Sequence, residues 1–461
     1  MKGPLEPKLV LARAVGALAR RGGHGGTSMP GRVLMRLDHE ATARLASRLR
    51  RGSVLVSATN GKTTTATMLA RIVAEAGISV VHNRAGANMG GGIASTLLGA
   101  SRPHGQIAGE LGLFEVDELW LERMVADLHP RTLLLSNLFR DQLDRYGELE
   151  IIADRWAHLV REGAGRDMNL VLNADDPLVA DLGRDREDVT YFGIDDPTLG
   201  LDGLAHAADA KHCRRCGAPY VFDVVFMGHL GHYHCPRCAR RRPSPSVVAQ
   251  DVRLHGVRGA SFQLRLPAGR VRVELPLPGL YNVYNATAAA ALATTLGLDG
   301  AHIAAGLAAV RAAFGRAETL TVADRELRIL LVKNPVGANE VLRTLALEPG
   351  EHDLLGVLND LTADGRDVSW VWDADFESLA PRVRRVTCSG TRAAELALRL
   401  KYAGVPVERI SVESDLRRAL TGALTDRDGA KAPLYALPTY TAMLALRRLL
   451  VADGHAPSAW T

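Results

Sequence analysis

The sequence predicts an α/β fold: a central phosphate-loop domain with an inserted four-cysteine zinc ribbon, then a C-terminal Rossmann-like α/β domain. Three observations predict it. Ser53-Val54-Leu55-Val56-Ser57-Ala58-Thr59-Asn60-Gly61-Lys62-Thr63 runs from a short apolar strand through a Gly-Lys-Thr loop into a helical pattern of Met68, Leu69, Ile72 and Val73, which ends at Gly77. Apolar runs alternate with helical stretches in two blocks, about 53–208 and 320–461. Between the blocks, Cys213-x2-Cys216 and Cys235-x2-Cys238 stand eighteen residues apart, the spacing of a zinc ribbon.

A chain of 461 residues is too long for one ordinary core. The division expected is an N-terminal helical segment (1–52), a central ATP-binding domain (53–315, with the ribbon at about 209–245) and a C-terminal domain (316–461). Hydrophobic content of 47% and charged content of 23% are those of a globular protein in water. A net charge of +5 is mild for this length, and Arg is spread throughout, which argues against a dedicated nucleic-acid binder. No apolar run approaches a membrane span and no signal-peptide pattern opens the chain, so a cytoplasmic location is expected. Five cysteines, four of them in C-x-x-C pairs, suit a reducing compartment and a metal.

In chain order, residues 1–52 read as one or two helices. Leu9, Val10, Leu11, Val15, Leu18 and Ala19 form an apolar face, Arg20-Arg21-Gly22-Gly23 a break, and Asp38 the cap of a second helix running to Arg51. The face is expected to pack on the next domain; contact of a basic amphipathic helix with anionic lipid is the other reading. Strands are expected at 53–56, 78–82, 111–116, 132–137, 168–172 and 189–192, and ligands at their C-terminal ends. Residues 247–275 read as hairpin strands, and Pro278 through Asn285 opens an alanine-rich helix at 286–295, with Asn282 or Asn285 as its cap. Gly315-Arg316-Ala317-Glu318 marks the link to the last domain, with strands expected at 328–332, 353–358, 383–388, 405–411 and 433–437.

The chemistry follows from residue types at those places. Backbone N–H groups at the start of a helix and the Lys62 ammonium suit phosphates, with the Thr63 hydroxyl on Mg²⁺. Thr59, Asn60, Gly61 and Thr64 complete the loop, although Val56 stands where the full phosphate-loop pattern has its first glycine. Glu115, in Leu113-Phe114-Glu115-Val116-Asp117-Glu118, ends an apolar run and suits the Mg²⁺ of a phosphoryl-transfer site. Asp175 and Asp176 read as capping and turn residues. Each C-x-x-C knuckle sets two thiolates on one side of a turn, so Cys213, Cys216, Cys235 and Cys238 close a tetrahedron with no open position and a structural role. His212, His229, His232 and His234 crowd the ribbon, but four sulfurs already fill the shell. Cys388, alone after an apolar run, reads as a core residue.

Thr59 through Thr65, Glu115, Gly279 through Asn285 and Lys333-Asn334-Pro335 together resemble the Mur ligase superfamily, enzymes that use ATP to join an amine to a carboxylate. Three further stretches sharpen this: Asn83 with Gly86-Ala87-Asn88-Met89, Asn137 through Asp144, and Ala363-Asp364-Gly365-Arg366-Asp367 with Ser369-Trp370. With the ribbon they resemble, along nearly the whole chain, the MurT family of synthetase subunits of lipid II isoglutaminyl synthase.

The resemblance implies that Lys62 and Thr63 bind phosphate and Mg²⁺, Glu115 the metal, and Asn285 the nucleotide. It implies a GatD-like glutaminase subunit as partner, with Asp367 completing the partner's Cys–His–Asp triad across the interface; Asp364 is the other residue for that role. Lipid II as substrate implies a peripheral visit to the inner face of the membrane. Ala58 departs from the glycine usual in the family, which is acceptable if its φ stays below zero.

Two other functions compete. A self-sufficient amino-acid ligase of the Mur or folylpolyglutamate synthetase type would share the ATP site, and the nucleophile, ammonia or amino acid, distinguishes it. A zinc-ribbon nucleic-acid-binding NTPase would show salt-dependent affinity for DNA or RNA.

Overall fold

The structure, a computed structural model, describes residues 5–21, 28–83, 87–102, 104–141, 149–164, 166–204, 208–311, 317–425 and 432–457. The expected features at Gly22-Gly23, Gly86, 142–144 and Gly315-Arg316 lie outside these residues.

The first sheet begins with Ser53–Ser57 (β1), Val80–His82 (β2), Leu111–Glu115 (β3), Thr132–Leu135 (β4), Asn169–Asn173 (β5) and Val189–Ile194 (β6). A separate hairpin follows, Val221–Met227 (β7) with Leu230–His234 (β8), and then Val247–Leu254 (β9), Ala260–Leu266 (β10) and Gly269–Leu275 (β11) return to the sheet. The nine strands run in the order β11-β10-β9-β6-β5-β4-β1-β3-β2, parallel from β9 to β2 and antiparallel through β9, β10 and β11. The chain crosses from one side of β1 to the other between β3 and β4, so β1 stands at the topological switch point, where a ligand site is expected.

Strand alternation divides the core. Val54, Val56, Leu113, Leu134 and Val171 face one hydrophobic cluster, while Leu55, Phe114, Leu133, Leu135, Leu170 and Leu172 face the other. Helix Leu280–Thr295 fills the first face and is buried almost all round, its Ala286 and Ala288–Ala291 small enough to approach the sheet closely. The second cluster takes in Leu5, Leu9, Ala12 and Leu34, so the N-terminal helices Glu6–Arg21 and Met29–Leu37 share the core of the sheet. Only part of the expected apolar face packs there: Val10, Leu11 and Leu18 point to solvent. Asp38 does not start a long helix. It ends the helix Met29–Leu37, pairs with Lys8 (3.1 Å) and Arg44 (2.9 Å), and is followed by a six-residue helix, Ala41–Ala46.

The second sheet comprises Glu318–Val322 (β12), Arg325–Ile329 (β13), His352–Val357 (β14), Val383–Ser389 (β15), Ile410–Val412 (β16) and Leu434–Pro438 (β17), ordered β12-β13-β17-β14-β15-β16. All pairings but β12 with β13 are parallel. The strand expected at 328–332 lies three residues earlier, because it pairs in a hairpin with β12, which the sequence pattern did not indicate. β16 is confined to Ile410–Val412, shorter than the 405–411 expected and shifted to its end.

Candidate active site

After β1, Ala58 to Gly61 turn the chain into the helix Lys62–Glu75. Gly61 has φ 89°, and a Cβ there would meet Asn285 Oδ1 at 2.0 Å, so backbone and neighbour both require glycine. Ala58 keeps out of the left-handed region, and its carbonyl accepts a bond from Lys62 Nζ. Thr59 and Asn60 are braced from the exit of β4. Thr59 N–H donates to Asn137 O (2.9 Å), Asn60 N–H to Asn137 Oδ1 (2.8 Å), and Asn137 Nδ2 returns a bond to Asn60 O (3.0 Å). This rigid loop leaves the helix start, with its unpaired N–H groups and positive dipole end, facing the cleft.

Asn285 and Asn282 are not caps. Their helix begins earlier, at Leu280 after Gly279, and carries both inside its first turns. Asn285 Oδ1 accepts the Thr65 hydroxyl (3.3 Å) and its Nδ2 donates to Asn282 Oδ1 (3.1 Å), which fixes the amide over the loop.

Glu115 ends β3 in register with Val56 of β1, which sets its buried carboxylate beside the loop. Asn83 holds its backbone, accepting the Glu115 N–H (3.0 Å) and donating to its carbonyl (2.9 Å). Three residues on, Glu118 Oε2 lies 2.8 Å from Lys62 Nζ. Burial pulls the Lys62 pKa down, but Glu118 outweighs it with help from Asp117 and Asp141, so the net shift is upward and the ammonium stays charged.

The second sheet supplies the opposite wall. Lys333 Nζ donates to Thr59 O (3.1 Å) and pairs with Asp141 (2.5 Å). Asn334 caps helix Pro335–Ala346 through Gly337 N–H (2.9 Å) and exchanges amide bonds with Asn60 at 3.1 and 3.3 Å. The cleft so formed, about 300 Å³, is lined by Gly61, Lys62, Thr63, Thr64, Glu115 and Asn285 on one side and by Lys333 and Glu340 on the other. Met227, Leu277, Tyr281 and Val336 give it an apolar wall. Glu118, Met227 and Glu340 are site residues that sequence reasoning missed. Glu340 is buried, and its pKa is raised by that burial against the opposing Arg343 at 2.8 Å.

Asp367 does not line this cleft. It is exposed, its Oδ1 accepting the Ser369 N–H (2.8 Å), and that bond together with the Ser369 hydroxyl lowers its pKa. Asp364, by contrast, is buried and binds both the N–H (2.7 Å) and the hydroxyl of Thr441.

The four ribbon cysteines form a separate centre, their sulfurs all within 4.8 Å of one another. Cys213 to Cys238 and Cys216 to Cys235 measure 3.5 Å, far beyond the ~2.05 Å of a disulfide and close to the ~3.8 Å between thiolates ~2.3 Å from one metal. No ribbon histidine joins them: His229 lies 3.4 Å from Asp176, His232 3.0 Å from Ile194 O, and His234 3.2 Å from Asp223. Asp176 caps helix Pro177–Ala180, while Asp175 binds Arg242 (2.5 Å) and Tyr284 (2.8 Å) and so ties the ribbon to the core. Cys388 is buried, with its pKa pushed up to about 12, which makes it inert.

A phosphate loop at the switch point of one sheet, closed by a second α/β unit that brings a lysine to the same loop, defines a Mur ligase. Residues 56–228 match the Mur ligase middle domain and residues 331–443 the MurT ligase C-terminal domain. Among solved structures, a pseudomurein peptide ligase type C from Methanothermus fervidus aligns with a TM-score of 0.64 at 22% identity, over 88% of this chain and 79% of that one. The Mycobacterium tuberculosis folylpolyglutamate synthase complexed with ADP and AMPPCP aligns with a TM-score of 0.62 at 17% identity, over 92% and 94%. The subunit MurT of lipid II isoglutaminyl synthase (glutamine-hydrolyzing) from Staphylococcus aureus is 33% identical over 94% of both chains, and that from Streptococcus pneumoniae 34% over 95% of this chain and 97% of the other. The chain belongs to the MurT family.

Proposed function

We propose that this chain is the ATP-dependent synthetase subunit that converts the D-glutamate α-carboxylate of lipid II to the amide, D-isoglutamine, with ammonia released by a GatD-like glutaminase partner. The observation that carries it is the convergence of Lys62, Thr63, Glu115, Asn285 and Lys333 on one cleft between two α/β units. A carboxylate does not react with ammonia in water, because its oxygen is a poor leaving group. Transfer of the ATP γ-phosphoryl group makes an acyl phosphate, and ammonia then displaces phosphate to give the amide.

In this reading the Lys62 ammonium and the N–H groups of the helix start hold the phosphates in place and oppose the charge that develops in the transfer. The apolar wall of Leu277, Tyr281 and Val336 suits an adenine, with Asn285 beside it. The Thr63 hydroxyl and the Glu115 carboxylate are hard oxygen donors on the same cleft and fit Mg²⁺, which when bound supplies charge neutralisation to the transferring group. Four thiolates fit Zn²⁺ in a closed, structural shell. The domain division at 1–52, 53–315 and 316–461 is part of the same proposal.

Asp367 is assigned to the partner's triad. Asp364 is committed to Thr441 within the chain, whereas Asp367 is exposed at the start of the short helix Ser369–Trp372. Leu361 and Trp372, six residues before it and five after it in the chain, are exposed, and the Trp372 ring lies 5.9 Å from that of exposed Tyr402, which supports a docking surface for another protein there. Among the described residues no helix is long and apolar enough to cross a membrane, so contact with a lipid-linked acceptor is peripheral in this reading.

The test is co-expression with a glutaminase partner and mass spectrometry of lipid II after incubation with ATP and glutamine. Amidated lipid II with ADP release is expected. Ligation of a free amino acid in place of ammonia would overturn the proposal in favour of a self-sufficient ligase.

A further inference from the structure

The first helix, Glu6–Arg21, has two apolar faces. Leu9, Ala12 and Gly16, with Leu5 just before the helix, are buried against the body of the protein. Pro7, Val10, Leu11, Ala14, Ala17 and Leu18 are exposed, Val10 at 55%, Leu11 at 51% and Leu18 at 66%. Those steps keep the exposed set on one side of a helix, opposite the buried set. Every exposed position from Pro7 to Leu18 is apolar. The charges between them are turned aside: Lys8 pairs with Asp38, and Arg13 donates to the carbonyl of Leu98 and the hydroxyl of Ser101. A helix that only covers a water-soluble core carries polar residues on its outer face. This one does not.

Charge says what covers it. Residues 1–37 hold seven of the chain's 56 Lys and Arg but, in Glu6, only one of its 51 Asp and Glu, so this segment alone is more positive than the whole chain at +5. On the neighbouring helix Met29–Leu37, Arg32 and Arg36 are exposed, together with Met29 and Leu37. We propose that the Pro7–Leu18 face docks on an anionic lipid bilayer, its apolar side chains entering the headgroup–acyl boundary while the exposed Arg32 and Arg36 and the net positive charge of the segment attract anionic headgroups. A second copy of the chain would bring like charge against like charge, whereas anionic lipid complements it. The placement also serves the cleft. Arg13 ties this helix to Leu98 of helix Gly90–Ala100, and that helix starts directly after Asn88 and Met89, which line the cleft.

The inference deepens the lipid-linked-acceptor reading, and vesicle binding is measured without catalysis, so either can fail alone. The full chain is floated with vesicles of phosphatidylcholine, with and without phosphatidylglycerol. Binding to the phosphatidylglycerol vesicles, weakened by salt, is expected, and the triple variant Val10→Glu, Leu11→Glu, Leu18→Glu should lose at least about tenfold in partitioning while keeping its circular dichroism. The same variant should amidate a water-soluble, short-chain acceptor at the wild-type rate. Wild-type protein that ignores anionic vesicles, or a triple variant that binds them equally well, overturns the proposal. So does a wild-type dimer in sedimentation velocity that the variant dissolves, since the face would then belong to a second copy.

Discussion

Lys62 Nζ and Glu118 Oε2 form a 2.8 Å ion pair at the wall of the cleft, both side chains almost wholly shielded from water. The lysine that would clamp the phosphates is therefore already neutralised by a carboxylate from the end of the neighbouring strand. A nucleotide has to take the ammonium over from Glu118, and the buried carboxylate then loses its counter-charge, a cost that the new phosphate contacts must exceed. Lys62→Ala should lower ATP-dependent amidation by at least about a hundredfold, and retention of a tenth of the rate, a loss of only about 1.4 kcal/mol, would show that it is not the clamp. Glu118→Gln should act in the other direction on binding. With its competitor neutral, Lys62 should hold ADP several-fold more tightly in calorimetry, and an unchanged or weaker affinity would mean that Glu118 assists the nucleotide.

The ribbon should hold one tightly bound Zn²⁺ per chain. Its loss should reach the nucleotide cleft only through structure, since four thiolates leave no position for an activated water. Metal analysis should find about one zinc, and Cys213→Ser should lose it with a lower melting temperature. A Cys213→Ser chain with full metal content would refute the site.

Asp353, next to the start of β14, gathers three guanidinium groups: Arg325, Arg384 (2.6 Å) and Arg385 (3.2 Å). Burial raises its pKa, but the hydrogen bonds and charge of the arginines win and hold it below the ordinary carboxylate value. The stability it contributes is therefore fully present above the unfolded-state pKa of about 3.9 and is lost as pH falls through the lower folded value. Asp353→Asn leaves buried Arg325 without its counter-charge and should cost about 3–5 kcal/mol near neutral pH. Chemical denaturation at pH 7 and pH 3 checks both: the gap between wild type and variant should shrink in acid.

The phosphate loop was legible because strand, loop and helix are consecutive, and Cys213 to Cys238 because metal spacing is local. The residues missed are those that only topology assembles. Glu118 meets Lys62 through the register of β1 with β3, and Met227 reaches the cleft from the tip of the β7–β8 hairpin. The β12–β13 hairpin stayed hidden because its turn is Ala323-Asp324, both with positive φ (49° and 61°), where an Asn-Gly pair would have announced it. The outer face of the first helix misled for a different reason. Val10, Leu11 and Leu18 have the periodicity of a core face, and sequence cannot say which of two apolar faces is turned inward.

Asp367 offers the sharpest test of the partnership. Its Oδ1 accepts the Ser369 N–H at 2.8 Å, the bond of an Asx turn that leads into the Ser369–Trp372 helix and does the local work of a cap. An asparagine accepts the same bond, so if capping is its whole role, Asp367→Asn should be silent, whereas loss of a cap altogether costs about 1 kcal/mol. A triad carboxylate behaves differently. It orients a histidine and stabilises the imidazolium, and a neutral amide of the same shape cannot do the second. The pKa of Asp367 is lowered, so it is a carboxylate at any working pH. Asp367→Asn should therefore cripple glutamine hydrolysis and glutamine-dependent amidation by the complex while leaving amidation driven by added ammonia near the wild-type rate. Asp364→Asn is the control: it weakens the bonds to Thr441 inside the chain and should affect both nitrogen sources alike. If the Asp367→Asn complex hydrolyses glutamine at the wild-type rate, the residue is a cap and the triad must be completed elsewhere.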